Sequence, residues 1–263
     1  GIIDQKYDFF MRCIALLRNI RKNRDIADRY EDFFSLRQGI NTHFLDQFQT
    51  RDLGCPVELC GSNQEIVDKA VFVVPALLPK VLEEVAPALK FRPENHVVHI
   101  TAFWKLAAVA PWYAPACGLV RSVPLPFSAD RMGPVVVYGG DERGVELLSL
   151  IGSVVRVRTE KALETLAALT GMMDAYYGAV AEMVRWCETK GMDFESARDY
   201  ACRMNEALSV HMRRNCTEDV EAFLRENATP GGTNELGLKT LRDAKAYEPW
   251  SEALEKIGKR YGI

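Results

Sequence analysis

The pattern of apolar and polar positions changes character at about residue 158. Between residues 55 and 158, short β-branched runs alternate with stretches of helical period, and Gly and Pro bound most of them. This alternation is typical of helices packed on a largely parallel sheet. The predicted strands are Val71–Val74, Val97–Ile100, Gly118–Val123, Pro134–Tyr138 and Val154–Val157.

From Thr159 onward the apolar period is that of helices. Leu163, Leu166 and Leu169 form one stripe, and a second runs from Tyr176 to Cys187. We therefore predict an α/β domain over residues 1–158, atypical in 1–54, and an all-α domain over 159–263. Further helices are predicted at Phe194–Arg213, Thr217–Asn227, Asn234–Ala244 and Pro249–Tyr261, with Thr233 as the N-cap of the third.

The helical half is too apolar to bury its stripes on itself, which predicts a homodimer or a ring of dimers. The composition is that of a soluble globular protein, with 48% hydrophobic and 26% charged residues. The net charge of -3 is spread along the chain and forms no basic face for nucleic acid. No apolar run approaches the roughly 20 residues of a membrane span. Without a secretory signal, the expected location is the cytoplasm.

The spacings of the cysteines and histidines do not match those of a zinc site. The seven cysteines include no CxxC pair, and of the four histidines only His96 and His99 lie close together, so no zinc site is expected. Free thiols in a reducing compartment are the expectation. His99, inside an apolar strand, is predicted to be a core histidine rather than a proton donor.

The strongest chemical signal is the segment Thr229–Glu235, which reads Thr-Pro-Gly-Gly-Thr-Asn-Glu. Two glycines before a helix let the backbone come close to a ligand, and the first helical amides are unpaired. Such a helix start suits a carboxylate or a phosphate. The alternative is a glycine-rich turn that only connects two helices.

Four segments together resemble the pyrroline-5-carboxylate reductase family. Ala228–Glu235 resembles its Ser/Thr-Pro-Gly-Gly-Thr motif, and Val73–Glu84 resembles its Val-Lys-Pro turn with the following helix. Arg121–Pro126 is similar to an Arg-x-Met-Pro-Asn-Thr-Pro segment, and Leu169–Tyr176 to a Leu-Ser-Gly-Ser-Gly-Pro-Ala-Tyr segment. They follow the family order over residues 57–263. The resemblance implies a Rossmann-like dinucleotide-binding domain followed by an all-α dimerisation domain.

The resemblance also implies an NAD(P)H-dependent reductase of a small imine that carries a carboxylate, with pyrroline-5-carboxylate as the default substrate and proline as the product. The resemblance does not distinguish NAD from NADP as the cofactor. A protonated imine accepts a hydride directly, so no nucleophile is needed. The implied substrate-binding residues are Gly231, Gly232, Thr233 and Asn234, the implied catalytic polar groups are Thr233, Thr170 and Tyr176, and the implied cofactor-binding residues are Val73, Val74, Pro75, Ala102 and Pro124.

Each of these roles has a structural alternative. Tyr176 lies on an apolar stripe and could be a core tyrosine, and the residues at the strand ends could be plain turns. The family's glycine loop for the cofactor pyrophosphate is missing from residues 1–60, where Asp4, Gln5 and Lys6 stand in its place. The alternative function is therefore a non-catalytic dimeric homologue. A third possibility is that the chain before Tyr7 is incomplete.

Overall fold

The computed structural model describes residues 60–263. The expectations for the N-terminus, including Asp4–Lys6 in place of the glycine loop, lie outside the described residues. The chain divides into two compact units, of which the first ends at Ala167 and the second comprises Ala168–Ile263.

Within residues 60–167, the first unit contains a five-stranded sheet in the order β1-β2-β3-β4-β5. Strands β1, β2 and β3 are parallel, β4 is antiparallel to β3, and β5 is parallel to β4. All five apolar runs form strands, as predicted, and the sheet is mixed. The strands are β1 Phe72–Val73, β2 His96–His99, β3 Gly118–Val123, β4 Pro134–Gly139 and β5 Ser153–Arg156.

Five α-helices accompany the sheet in the described part of this unit. They are α1 Asn63–Lys69, α2 Pro79–Val85, α3 Leu106–Tyr113, α4 Glu142–Ser149 and α5 Glu160–Leu169, which runs across the boundary of the unit. Their starts follow ordinary capping chemistry: Ser62 and Asp141 accept backbone amides, and Pro79 occupies the first turn of α2.

Two apolar clusters lie in the first unit among the residues that the structure describes. One joins β-strand residues such as Val98 and Val120 to Val145 and Leu148 of α4. The other joins Val73 and Val97 to α1, α2 and α3, and its buried members are Ile66, Val67, Ala70, Val73, Leu82, Ala86, Phe91, Val97, Val109 and Tyr113. Helices on either side of a sheet produce this layered core.

The second unit is entirely helical in the part that the structure describes. After a short 3-10 turn at Thr170–Met172 come α6 Met173–Thr189, α7 Phe194–Asn215, α8 Val220–Glu226, α9 Thr233–Asp243 and α10 Glu248–Tyr261. Its buried apolar cluster is small and centres on Val184, Ala197 and Ala201. Among residues 60–263, no helix combines the length and the apolar character that a membrane span requires.

Two predicted helix starts are wrong. Gly232, not Thr233, is the N-cap of α9, and Thr233 is its first residue. The amide of Gly232 already donates to the carbonyl of Thr229 at 2.8 Å, so the turn closes one residue earlier than expected. Helix α8 begins at Val220 rather than near Thr217, because the Asp219 carboxylate caps it.

Candidate functional site

The loops that follow β1, β2 and β3 meet at one edge of the sheet. The three strands are parallel, with Phe72 opposite His96 and His96 opposite Gly118, so their carboxyl ends lie side by side. Ligands of open α/β sheets bind outside this edge. The structure thus brings together four of the predicted cofactor-binding residues: Val74, Pro75, Ala102 and Pro124.

These residues differ in accessibility. Ala102 is exposed and Val74 and Pro75 are half-buried, so their surfaces can face a ligand. Pro124 is buried, and Val73, the last residue of β1, is 8% exposed and packs in the core. The side chain of Val73 therefore belongs mainly to the core cluster that joins β1 and β2 to α1, α2 and α3.

Hydrogen bonds fix the edge in place. The Thr101 hydroxyl donates to the carbonyl of Pro75 at 2.9 Å and lies 3.3 Å from the carbonyl of Leu77. The indole N–H of Trp104 donates to the carbonyl of Pro79 at 3.1 Å. The loop after β2 is therefore tied at both ends to the segment after β1, which preforms the edge.

A buried ion cluster lies at the end of β3. Arg121 is 2% exposed, and its Nη1 donates to the Oε1 of Glu160 at 2.5 Å and to the Oε1 of Glu164 at 3.2 Å. Glu160 also accepts the amide of Leu106 at 2.7 Å. The cluster joins β3 to the starts of α3 and α5. The sequence reasoning gave no role to it, although an arginine in an apolar strand and two glutamates four residues apart were visible signals.

His99 is a structural residue, as predicted. Its side chain is fully buried, with Nδ1 3.0 Å from the hydroxyl of Tyr113 and Nε2 3.3 Å from the carbonyl of Trp104. Burial, and next the charge of Arg121, lower the pKa of His99 to about 4. Burial likewise raises the pKa of Tyr113. The imidazole is therefore neutral, donates through Nε2 to Trp104 and accepts from Tyr113.

In the second unit the Pro-Gly-Gly-Thr segment forms the turn before α9. Gly231 has a φ of +73°, a conformation that favours glycine. Its amide donates to the carboxylate of Glu235 at 2.6 Å, and the amide of Gly232 donates to Thr229. Both glycine amides that were expected to hold a substrate carboxylate thus have partners within the chain. These two hydrogen bonds form as the turn closes. The spacing of the residues in the sequence does not predict them.

The start of α9 still offers donors. The amides of Thr233 and Asn234 have no partner among the described residues, and both side chains are exposed. The carboxylate of Glu235 already sits at this helix start, where the helix dipole favours an anion. The start of α9 therefore suits a carboxylate, and the carboxylate of Glu235 already occupies part of this site.

A groove of about 490 Å³ adjoins this turn between α8 and α9. Pro230 and Glu235 contribute to its wall. Its charged lining is largely paired, as in the contact of 2.7 Å between Arg242 and Glu221. The groove is lined by Glu221, Leu224, Arg225, Ala228, Pro230, Glu235, Leu238, Lys239, Arg242 and Asp243.

The remaining two predicted catalytic residues lie at another helix start of the second unit. Thr170 is half-buried in the 3-10 turn before α6, and Gly171 packs closely on Ile257 of α10. Tyr176, in the first turn of α6, is 41% exposed, so it is not a core residue of this unit. Its ring centroid is 6.1 Å from that of Tyr177. Thr170 and Tyr176 belong to the same segment, from the 3-10 turn to the first turn of α6, whereas Thr233 belongs to α9.

Within residues 60–263, no group of three His, Cys, Asp or Glu side chains could hold a metal ion. Among the described cysteines, Cys117, Cys187, Cys202 and Cys216 are free thiols.

Comparison with known proteins links the helical half to one family. Residues 160–262 match the family model described as pyrroline-5-carboxylate reductase dimerisation. The pyrroline-5-carboxylate reductase of Pseudomonas aeruginosa is 27% identical over 205 residues, 73% of each chain. Pyrroline-5-carboxylate reductase 2 of Bacillus subtilis is 22% identical over 213 residues, 78% of this chain and 76% of the relative.

Solved structures share the fold. A pyrroline-5-carboxylate reductase from Coxiella burnetii has a TM-score of 0.70 at 20% identity and covers 97% of this chain and 94% of its own. The pyrroline carboxylate reductase of Plasmodium falciparum, solved with NADP bound, has a TM-score of 0.64 at 16% identity and covers 77% and 80%. The family model over residues 160–262, the relatives and the solved structures agree: the chain is similar to pyrroline-5-carboxylate reductases over most of its length and shares their fold.

Proposed function

We propose that the protein is an NAD(P)H-dependent reductase of a small imine that carries a carboxylate, with pyrroline-5-carboxylate as the substrate and proline as the product. One observation carries the proposal: the family's Pro-Gly-Gly-Thr turn forms a helix start with free amides at Thr233 and Asn234. The two relatives that align with most of the chain carry this activity in their names.

The sheet edge of the first unit fits the nicotinamide half of a dinucleotide. Val74, Pro75 and Ala102 offer short, uncharged surfaces at the carboxyl ends of parallel strands, where a flat heterocycle can lie against the backbone. When bound, NAD(P)H supplies the hydride.

The start of α9 is our candidate for the substrate carboxylate. The amides of Thr233 and Asn234 and the hydroxyl of Thr233 would donate to it, and the helix dipole would add to the attraction. A ligand carboxylate reaching the amide of Gly231 would have to displace the carboxylate of Glu235. Substrate binding therefore includes a competition with a side chain of the same turn.

Reduction of a protonated imine requires positioning more than covalent chemistry. A carbon–nitrogen double bond that carries a proton accepts a hydride without a protein nucleophile. Thr170, Tyr176 and Thr233 are the polar groups that we assign to orient the imine nitrogen and to supply its proton. The hydroxyl of Tyr176 is accessible for this, since the side chain is 41% exposed.

A specific observation favours a second candidate, the non-catalytic dimeric homologue. The carboxylate of Glu235 already satisfies the amide of Gly231, as a turn with a purely structural role would. A scaffold protein would keep the fold and the dimer and would bind no nucleotide.

Nucleotide binding separates the two candidates. Ligand at 100 times its dissociation constant stabilises the folded state by about 2.7 kcal/mol, or several degrees of melting temperature for a chain of this size. We expect such a shift with NADPH or NADH, followed by oxidation of the nucleotide when pyrroline-5-carboxylate is added. A folded protein whose melting temperature responds to neither nucleotide would establish the scaffold function instead.

A further inference from the structure

Phe103 has an unusual backbone and an unusual exposure. Its φ is +69°, a conformation that a bulky side chain rarely adopts. Its aromatic side chain is nevertheless 59% exposed. Conformations of this kind persist when their surroundings over-determine them, and they concentrate at ligand sites.

The residues on either side of Phe103 hold the turn in this conformation. Thr101 is 5% exposed and bonded to the carbonyl of Pro75. Trp104 donates to the carbonyl of Pro79, and its ring packs edge-on against Trp112 with 4.8 Å between ring centroids. Because the loop is fixed on both sides, the ring of Phe103 is presented outward from a rigid base.

Phe103 lies in the turn that contributes Ala102 to the proposed cofactor edge. Phe103 follows Ala102 directly, in the turn after β2, the central one of the three parallel strands. A large apolar side chain exposed beside a ligand-binding edge offers a flat surface of about the size of a pyridine ring. Aromatic rings in contact with one another gain roughly 0.5–1.5 kcal/mol beyond the burial of their area.

We propose that Phe103 is a positioning residue whose ring packs against the nicotinamide and sets the orientation of that ring at the edge formed by Val74, Pro75 and Ala102. This inference rests on the proposed reductase function, because it requires that the protein binds NAD(P)H. It assigns to Phe103 the nicotinamide end of the dinucleotide and leaves the adenosine end to other residues.

Binding measurements with two probes test the assignment. NAD(P)H contains the nicotinamide ring, whereas ADP-ribose or its 2'-phosphate derivative has the rest of the dinucleotide without it. By calorimetric titration, we expect Phe103→Gly to weaken binding of NAD(P)H about three- to tenfold, the range of an aromatic pair. The affinity for the probe without the ring should stay within about twofold. Phe103→Tyr, which keeps the ring, should bind both as the parent does.

Stability measurements complete the test. Glycine accepts a φ of +69° without strain, so Phe103→Gly should melt at or above the parent temperature. The matched control is Lys245→Gly, which relieves a φ of +55° in the second unit and should leave both affinities unchanged. Phe103→Leu, which keeps the β-carbon and the apolar volume, answers the question if the glycine variant does not fold.

The outcomes distinguish this inference from the proposed function. Equal affinities of parent, Phe103→Gly and Phe103→Leu for NAD(P)H would overturn the assignment of Phe103 while leaving the reductase intact. An equal loss for both probes would also overturn it, because the effect would then not concern the nicotinamide. A parent protein that binds neither probe would overturn the proposed function and this inference together.

Discussion

At the residue scale, two amides of the Pro-Gly-Gly-Thr turn are already hydrogen-bonded within the chain. The sequence correctly indicated a glycine-rich helix start, but the amides of Gly231 and Gly232 are used by Glu235 and Thr229. A β-carbon on Gly232 would lie 2.8 Å from the carbonyl of Thr229, so substitution there would disturb the turn itself. Glu235 is therefore the better residue through which to test the site.

We predict that Glu235→Ala lowers the KM for the imine. Removing the carboxylate frees the amide of Gly231 and ends the competition with the substrate, for which we expect a gain of several-fold. The variant also loses a helix-capping bond, at a cost of about 1 kcal/mol of stability. Steady-state kinetics and urea unfolding measure the two effects. Glu195→Ala, in the first turn of α7, is the control and should leave KM unchanged; an unchanged KM in Glu235→Ala as well would remove the carboxylate site from this turn.

The low pKa of His99 predicts that the free energy of unfolding depends on pH. The unfolded chain has a histidine pKa near 6.5, whereas the folded pKa is about 4, so the unfolded state binds more protons between these values. The stabilisation is present above pH 6.5 and is lost as the pH falls toward 4. Between pH 7 and pH 5 we expect the free energy of unfolding of the parent to fall by about 2 kcal/mol. This loss should be absent in His99→Gln. Urea unfolding at both pH values measures it, with the exposed His211→Gln as control; identical pH dependence of parent and His99→Gln would contradict the buried, neutral imidazole.

At the scale of elements, the strands followed from the sequence because Gly or Pro bounds most of the β-branched runs. The antiparallel pairing of β3 with β4 was not predicted. Residues 124–133 connect these strands, and a parallel crossover needs a dozen residues or more, usually with a helix. The length of this connection therefore already indicated that β4 is antiparallel to β3. The ion cluster at Arg121 was missed because its partners lie 39 and 43 residues further along the chain.

The same cluster yields a prediction for Arg121→Met. This change leaves the carboxylates of Glu160 and Glu164 near each other without their cation, and breaking a buried pair in this way costs about 3–5 kcal/mol. We expect a loss of this size in urea unfolding. The control is Arg156→Met, which breaks an exposed pair with Glu142 and should leave the stability unchanged within error. Equal stability of the two variants would show that the cluster does not hold β3 to α3 and α5.

At the scale of the whole molecule, the sequence predicted the change from an α/β to a helical half, because the apolar period itself changes. The second unit also shows why a dimer was expected. Its buried cluster is small, while large apolar side chains stay exposed, including Trp186 at 62%, Tyr200 at 70% and Leu208 at 57%. Surfaces of this kind are interaction sites. The match to a dimerisation domain over residues 160–262 supports the same conclusion.

We predict that the protein in solution has at least twice the mass of one chain. Burial of the apolar faces of α6 and α7 provides the driving force, so Leu208→Asp, which places a charge on such a face, should shift the protein toward the monomer. Light scattering at micromolar concentration measures both. Met132→Asp is the matched control, since Met132 is an equally exposed apolar residue of the first unit. A parent protein that is a stable monomer would contradict the prediction.

The origin of the hydrogen in the product is the sharpest test of the reductase itself. The purified protein would be incubated with pyrroline-5-carboxylate and NADPH or NADH deuterated at one face of nicotinamide C4, each face in turn, and the proline analysed by mass spectrometry. Direct hydride transfer predicts that proline gains one deuterium from one face and none from the other. Folded protein that forms no labelled proline from either face of either nucleotide would contradict the assignment of this chain as an imine reductase.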